Sequence, residues 1–430
     1  MKLLIKNGRV IDPANHRDGQ FDVLVEKGRI LKVAPQGKLS KAETDGAKEI
    51  DAKGCVVTPG FLDMHVHFRE PGFEYKETIQ TGCESAAAGG FTTVAMMPNT
   101  NPVNDTRSVT EFMLAQARTH GIINALPIGA ITKGLKGEEL TDMKDLKDAG
   151  AVALSDDGRP VMSNQLMRRA FEYSRMCDLL LIQHSEILDL TKGGCMHEGA
   201  ISTELGLSGM PHEAEDIMVY RDIALLEKTG GRLHVAHISS GNSVELVRQA
   251  KKQGLPVTTE VAPHHFMLTD TAVRGYDTNT KMSPPLRSDR DIERIKEGLA
   301  DGTIDMIATD HAPHDVVDKQ VEYSHACFGV VGLETALPLS LKLVEEKVLT
   351  LPQVVEKLTS RPAEVFRLDK GTLSEGKDAD ITIFDPDAEY TVDAMKFKSK
   401  SKNSPFHDWQ VKGQVRHTIY RGKVVYSNPS

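Results

Sequence analysis

The sequence predicts an α/β fold: a (β/α)8 barrel of the TIM type, with a small β-sandwich that the N- and C-terminal segments build together. Three observations predict it. Residues 56–364 alternate short apolar runs with stretches of helical character. Residues 1–55 and 365–430 instead show apolar alternation between Gly and Asn turns, which marks antiparallel strands. No G-x-G-x-x-G follows the first central strand, which disfavours the competing open, doubly wound sheet.

The elements follow in order. Leu3–Ile5, the turn Asn7-Gly8, Arg9–Ile11, Phe21–Val25 and Gly28–Val33 read as short strands, as do Ala379–Phe384 and His417–Val425 near the other end. Neither end is long enough to fold alone, so 1–55 and 365–430 are expected to form one domain around the central 56–364. In that centre the strand candidates are Val56–Phe68, Thr92–Met97, Asn124–Ile131, Ala151–Ser155, Leu179–His184, Leu233–Ile238, Pro256–Val261 and Met306–Asp310. Helix candidates between them include Lys76–Ala88, Ser108–Thr119, Glu213–Glu227, Ser243–Gln253 and Asp289–Ala300. On charge alone, Lys396–Lys402 reads as a solvated linker.

Composition narrows the function. With 61 acidic against 52 basic residues the net charge is -9, which repels phosphate backbones, so no nucleic-acid partner is expected. A locally basic site still suits a small anionic substrate. The five cysteines (55, 83, 177, 195 and 327) are odd in number and form no C-x-x-C pair, so reduced thiols in a cytoplasmic protein are expected. The opening MKLLIKNGRVID turns polar too early for a signal peptide, and no apolar run approaches the roughly 20 residues that span a bilayer.

Chemistry concentrates at strand ends. In Asp63–Arg69, His65 and His67 stand at i and i+2 of a strand and share one face, as two imidazoles on one divalent metal would. Strand four ends in Asp156-Asp157, strand five in His184, strand six carries His237, and strand eight ends in Asp310, followed by His311 and His314. Barrel enzymes build their sites at these C-terminal ends. Four histidines and two aspartates exceed the three or four ligands of one zinc, so two metals are expected. A shared carboxylate would bridge them, and a shared water would lose a proton near neutral pH to attack an amide carbonyl. Adjacent strand residues face opposite ways, so only one of Asp156 and Asp157 can be the bridge. There is no G-x-S-x-G elbow and no phosphate-binding loop.

Pro59–Gly72, Met97–Thr100, Ala308–His314, Phe328-Gly329 and Ser399–Phe406 together resemble the amidohydrolase superfamily, and within it the dihydroorotases of the bacterial class I type. The similarity runs along nearly the whole chain. It implies hydrolysis and reclosure of the cyclic amide between dihydroorotate and N-carbamoyl-aspartate, in pyrimidine biosynthesis, with Asp310 as general acid and base. It implies two Zn2+ per chain, in a cage that Mn2+ or Co2+ also fits: His65, His67 and Asp310 on one, His184 and His237 on the other, Asp157 between. Many relatives bridge with a carboxylated lysine, which strand four lacks.

The resemblance also implies that Arg69, Asn99 and His314 grip the substrate carboxylate, that His67 faces substrate, and that Phe328 and Gly329 offer backbone contacts. Ser283 stands where the family often has Asn, so its contact is the weakest of the set. His264 and His265 are expected to be structural. The stretch Ser399–Phe406 turns the basic run into an expected ordered connection. Residues 311–328 are expected to act as a lid. The chain is expected to form a homo-oligomer and to be able to associate with aspartate carbamoyltransferase. Two alternatives are a dihydropyrimidinase or allantoinase, whose substrates lack the carboxylate, and a non-catalytic paralogue supporting the carbamoyltransferase.

Overall fold

The computed structural model describes residues 2–428. Five strands from the N-terminal side (Lys2–Asp12, Arg17–Glu26, Arg29–Pro35, Lys48–Asp51, Val56–Pro59) join three from the C-terminal side (Ile381–Thr391, Gln410–Tyr420, Lys423–Ser427) in one eight-stranded mixed sheet. The join is Val56–Pro59, which runs parallel to the first strand (Arg9 opposite Val56) and antiparallel to Ile381–Thr391 (Ile381 opposite Pro59, Phe384 opposite Val56). A core containing Leu3, Ile5, Val23, Val57, Ile381, Ile383 and Ile419 draws on both ends of the chain.

The central strands are β1 (Phe61–Val66), β2 (Phe91–Met96), β3 (Asn124–Pro127), β4 (Ala153–Ser155), β5 (Leu180–Gln183), β6 (Leu233–Val235), β7 (Val257–Val261) and β8 (Met306–Ile307). All pair in parallel, as β1-β2-β3 and as β8-β7-β6-β5-β4. Single bridges link the two groups on both sides, Val66 with His311 and Gly129 with Leu154. Leu62, Met64, Ala95, Ile128, Ala153, Leu180, Ile182, Ala236 and Met306 form one apolar cluster, so strands of both groups share a core. Helices occupy the intervals, among them α1 (Ile79–Ala88), α2 (Arg107–His120), α3 (Asn164–Cys177), α4 (Glu213–Thr229), α5 (Gly241–Lys252) and α6 (Asp289–Ala300). Their starts carry the expected signals: Thr78 and Ser288 each accept a hydrogen bond from the third residue of α1 and α6.

One expectation needs correction. The apolar run Val56–Phe68 is not one strand: it divides at Gly60, its first part joining the terminal sheet and its second forming β1. A Cβ on Gly60 would lie 2.1 Å from Thr92 Oγ1, so the crossing between sheets has room only for glycine. Residues 396–402 form the ordered connection that the resemblance of Ser399–Phe406 implies, not the solvated linker that charge alone suggests. Glu334 accepts from the backbone of Lys398 and Ser399, Glu77 accepts from Ser399 Oγ and Lys400 N, and Ser401 Oγ donates to Lys76 O at 2.7 Å. Among the described residues all five cysteines are free, and no helix is long and apolar enough to cross a membrane.

Candidate active site

The six candidate ligands come together at the C-terminal ends of β1, β4, β5, β6 and β8. His67 Nε2 lies 3.0 Å from Asp310 Oδ1 and 3.4 Å from Asp157 Oδ2. His65 Nε2 lies 3.5 Å from Asp310 Oδ1 and 3.6 Å from Asp157 Oδ1. Asp157 Oδ1 also faces His184 Nδ1 at 3.5 Å and His237 Nε2 at 3.4 Å. Among the described residues, two groups have the spacing of a metal site: His65 with His67 and Asp310, and His65 with Asp157 and His237. Asp157 thus touches both sets of imidazoles, the placing a bridge requires.

Burial tests whether a metal fits. His65 Nε2, Asp157 Oδ1 and His237 Nδ1 are buried with no hydrogen-bond partner. Native interiors rarely leave such atoms unsatisfied. Burial alone would keep His65 neutral, yet Asp157, Glu260 and Asp310 outweigh it and lift its pKa well above the ordinary value. The field at this point favours positive charge, and nitrogen and oxygen donors are what a divalent ion binds. Three of the residues involved, Arg69 (φ 63), His237 (φ 28) and Asp310 (φ 48), adopt the left-handed region that non-glycine residues seldom occupy. Such strain collects where function fixes the backbone.

A second layer orients the ligands. Glu260, at the end of β7, accepts from His65 Nδ1 at 2.5 Å and from His234 Nε2 at 3.1 Å. Glu186 pairs with His184 Nε2 at 2.9 Å, and Asn99 Oδ1 with His67 Nδ1 at 2.9 Å. Asp156 points away from the cluster: its carboxylate accepts from Ile131 N at 2.7 Å, Thr132 N at 2.9 Å and the Thr132 hydroxyl. His265 Nε2 pairs with Pro284 O at 2.9 Å, while His264 stays outside both candidate groups.

In front of the cluster lies a cavity of about 640 Å³. His67, Arg69, Asn99, Asp157, His184, Ser283, Asp310, His314, Phe328 and Gly329 line it, while His65 and His237 are buried outside the lining. Glu186, Leu188, Asp189 and Lys192 also line it. Arg69 Nε donates to Pro313 O at 3.2 Å, and among the described residues no carboxylate lies within 4.0 Å of its guanidinium. His314 Nε2 meets Phe328 O at 2.7 Å. Burial, then the neighbouring Arg69, Lys76 and Lys319, push the His314 pKa down to about 2.

The 311–328 segment is better anchored than its composition suggests. It contains the short helix Val316–Lys319, and buried Lys319 donates to the carbonyls of Thr278, Lys281 and Cys327 at 3.0, 3.2 and 2.7 Å. Sequence reasoning assigned no role to Glu186, Glu260 or Asn403. Asn403 Nδ2 donates to Ala312 O at 3.1 Å and Gly329 O at 3.0 Å, and its Oδ1 accepts from His314 N at 3.0 Å. Position offered a signal for both acids, since Glu186 follows β5 and Glu260 is the penultimate residue of β7; nothing local marked Asn403.

The family described as Dihydro-orotase-like matches residues 54–243, and the Amidohydrolase family matches residues 279–426. The dihydroorotase of Geobacter metallireducens is 54% identical over 426 residues, which span 99% of this chain and 100% of that protein. The dihydroorotase of Geobacter sulfurreducens is 55% identical over 427 residues, with the same coverage. Among solved structures, the L-hydantoinase (dihydropyrimidinase) of Arthrobacter aurescens matches with a TM-score of 0.89 at 28% identity, covering 100% of this chain and 96% of that one. The dihydropyrimidinase of Brevibacillus agri (TM-score 0.86, 24% identity, 100% and 95% covered) shares the fold. These matches make the chain an amidohydrolase, and among amidohydrolases one that acts on a cyclic amide. Within that class, the chain belongs to the dihydroorotase family.

Proposed function

We propose that the chain interconverts dihydroorotate and N-carbamoyl-aspartate. The observation that carries this reading is Arg69, a guanidinium at the cavity wall with no protein carboxylate within 4.0 Å among the described residues. Such a group suits a carboxylate-bearing ring, with which it makes a charge-assisted, bidentate pair. His314, 3.4 Å from the guanidinium, and Asn99, Phe328 and Gly329 line the same cavity. Dihydropyrimidines without the carboxylate would leave Arg69 unanswered.

His65, His67 and Asp310 would hold one divalent ion, His184 and His237 the other, with Asp157 between; the donor set fits Zn2+ best. Such ions lower the pKa of a water and polarise a carbonyl. The carboxylate of Asp310 is kept ionised by His65 and His67 despite burial. In this reading it would take the proton of the attacking water and hand it to the departing ring nitrogen. Ser283 contributes a hydroxyl to the pocket.

The eight parallel strands are read as a closed barrel over 56–364, supported by the two linking bridges and the shared apolar cluster. The terminal sheet, from 1–55 and 365–430, is read as a sandwich around its own core. The free cysteines favour a reducing compartment, the cytoplasm.

Metal-loaded protein and its Arg69→Met variant, assayed on dihydroorotate and on uncharged dihydrouracil, test the substrate. Losing the pair should cost dihydroorotate roughly 1.5–3 kcal/mol and dihydrouracil little. Equal losses on both would remove Arg69 as the reader of the carboxylate.

A further inference from the structure

We propose that Lys76 is a positioning residue that fixes His314 as a neutral donor, with its proton on Nε2, facing the substrate carboxylate. This rests on the role given to His314 above. Lys76 Nζ lies 3.2 Å from His314 Nδ1 and 3.1 Å from Asp318 Oδ2. An ammonium only donates, so Nδ1 must offer its lone pair. At the other end of the ring, Phe328 O lies 2.7 Å from Nε2 and only accepts, so Nε2 must carry the hydrogen. Both contacts demand the same tautomer.

The Arg69 guanidinium Nη2 lies 3.4 Å from His314 Nε2; with the hydrogen on Nε2 both groups are donors, and an anion that accepts from both relieves their opposition. Two donors side by side at the cavity lining suit a carboxylate, which would share the Nε2 hydrogen with the Phe328 carbonyl. A neutral ring is the form this place tolerates, since Arg69, Lys76 and Lys319 surround it. Asp318 Oδ2 lies 3.8 Å from Nδ1 and opposes this arrangement. Without Lys76, Asp318 would be the group left facing Nδ1 and would compete with the Phe328 carbonyl for the ring proton, weakening the hold of the ring on its Nε2 hydrogen. The placement of Lys76 is itself secured: its carbonyl accepts from Ser401, and the adjacent Glu77 holds Ser399 and Lys400. The lysine thereby connects the turn after β1, the short helix carrying Asp318, and the C-terminal segment.

The test uses the full-length, metal-loaded protein and steady-state kinetics on dihydroorotate. Lys76→Met should raise KM about tenfold or more, with the loss falling on KM rather than kcat, and Lys76→Arg should recover part of it. His314→Ala should also raise KM, and adding Lys76→Met to it should change nothing further, because the lysine acts through the ring. Additive effects of the two substitutions, or a loss confined to kcat, would overturn the proposal. An unchanged KM in His314→Ala would instead overturn the role of His314. Nitrogen-15 shifts of the histidine rings in the unsubstituted protein, assigned against His314→Ala, give a reading independent of how Lys76 variants fold. A proton on Nε2 is expected, and one on Nδ1 would refute the assignment.

Discussion

Glu260 Oε1 lies 2.5 Å from His65 Nδ1, so a buried carboxylate at the end of β7 sets the tautomer of a candidate ligand 195 residues earlier in the chain. The carboxylate accepts the Nδ1 hydrogen, and Nε2 is left with its lone pair aimed at the cluster. Its other oxygen takes His234 Nε2 at 3.1 Å, which keeps the carboxylate from turning away.

Glu260→Gln should therefore loosen metal without removing a ligand. Losing such an orienting partner typically costs about 10–100-fold in metal affinity. Competition with a chelator, followed by metal analysis of the protein, measures it. Affinity equal to that of the unsubstituted protein would mean that Glu260 only fills space.

Asp310→Asn should keep the fold and lose turnover. A general acid–base group contributes about 10²–10⁴-fold, and kcat should fall at least that far. Near-normal kcat with metal still bound would rule out the proton-transfer role.

The neighbouring aspartates of β4 should separate cleanly. Asp157→Ala removes the carboxylate that touches both imidazole sets, so the protein should hold fewer metals per chain and lose activity. Asp156→Ala should keep its metals but become less stable, since two buried N–H groups of residues 131 and 132 lose their acceptor, at roughly 1–3 kcal/mol each. Metal content and denaturant melts distinguish the two. Full metal content and ordinary activity in Asp157→Ala would contradict the bridge.

A pH effect is expected away from the site. Asp222 is fully buried on α4, and burial pushes its pKa up to about 6, only partly offset by Arg221 at 2.9 Å. The folded state then holds a proton that the unfolded chain has released, so this residue's contribution to stability is full below about pH 4 and is lost as pH rises to about 6. Two pKa units correspond to roughly 3 kcal/mol. Asp222→Asn should gain stability relative to the unsubstituted protein across that window, as read by melts at pH 4 and pH 7. A difference between the two proteins that stays flat with pH would show that the carboxyl is ionised throughout.

Much of the site could be read from local pattern. Strand alternation put His65 and His67 on one face and left a single aspartate of β4 free to meet them; the structure turns Asp157 inward and Asp156 toward the backbone of 131 and 132. The six candidate ligands do share one centre, because each sits at a strand end and parallel strands bring those ends together. The supporting contacts were hidden for a different reason. Lys76 meets His314 across 238 residues and Asn403 meets Ala312 across 91, and no periodicity encodes such distances. The run Val56–Phe68 misled because both halves are buried, so hydrophobicity does not register the change of sheet at Gly60.

The terminal sheet has a consequence for how the enzyme comes into being. Val56–Pro59 waits for Ile381–Thr391, and the loops at 312–314 and 329 wait for Asn403. Pairings of such sequence separation form late and slowly. During synthesis the candidate metal ligands have all emerged before the residues that brace the substrate pocket exist. A chain cut before Asn403 would keep all six candidate ligands and lose the side chain that ties the 312–314 loop to residue 329.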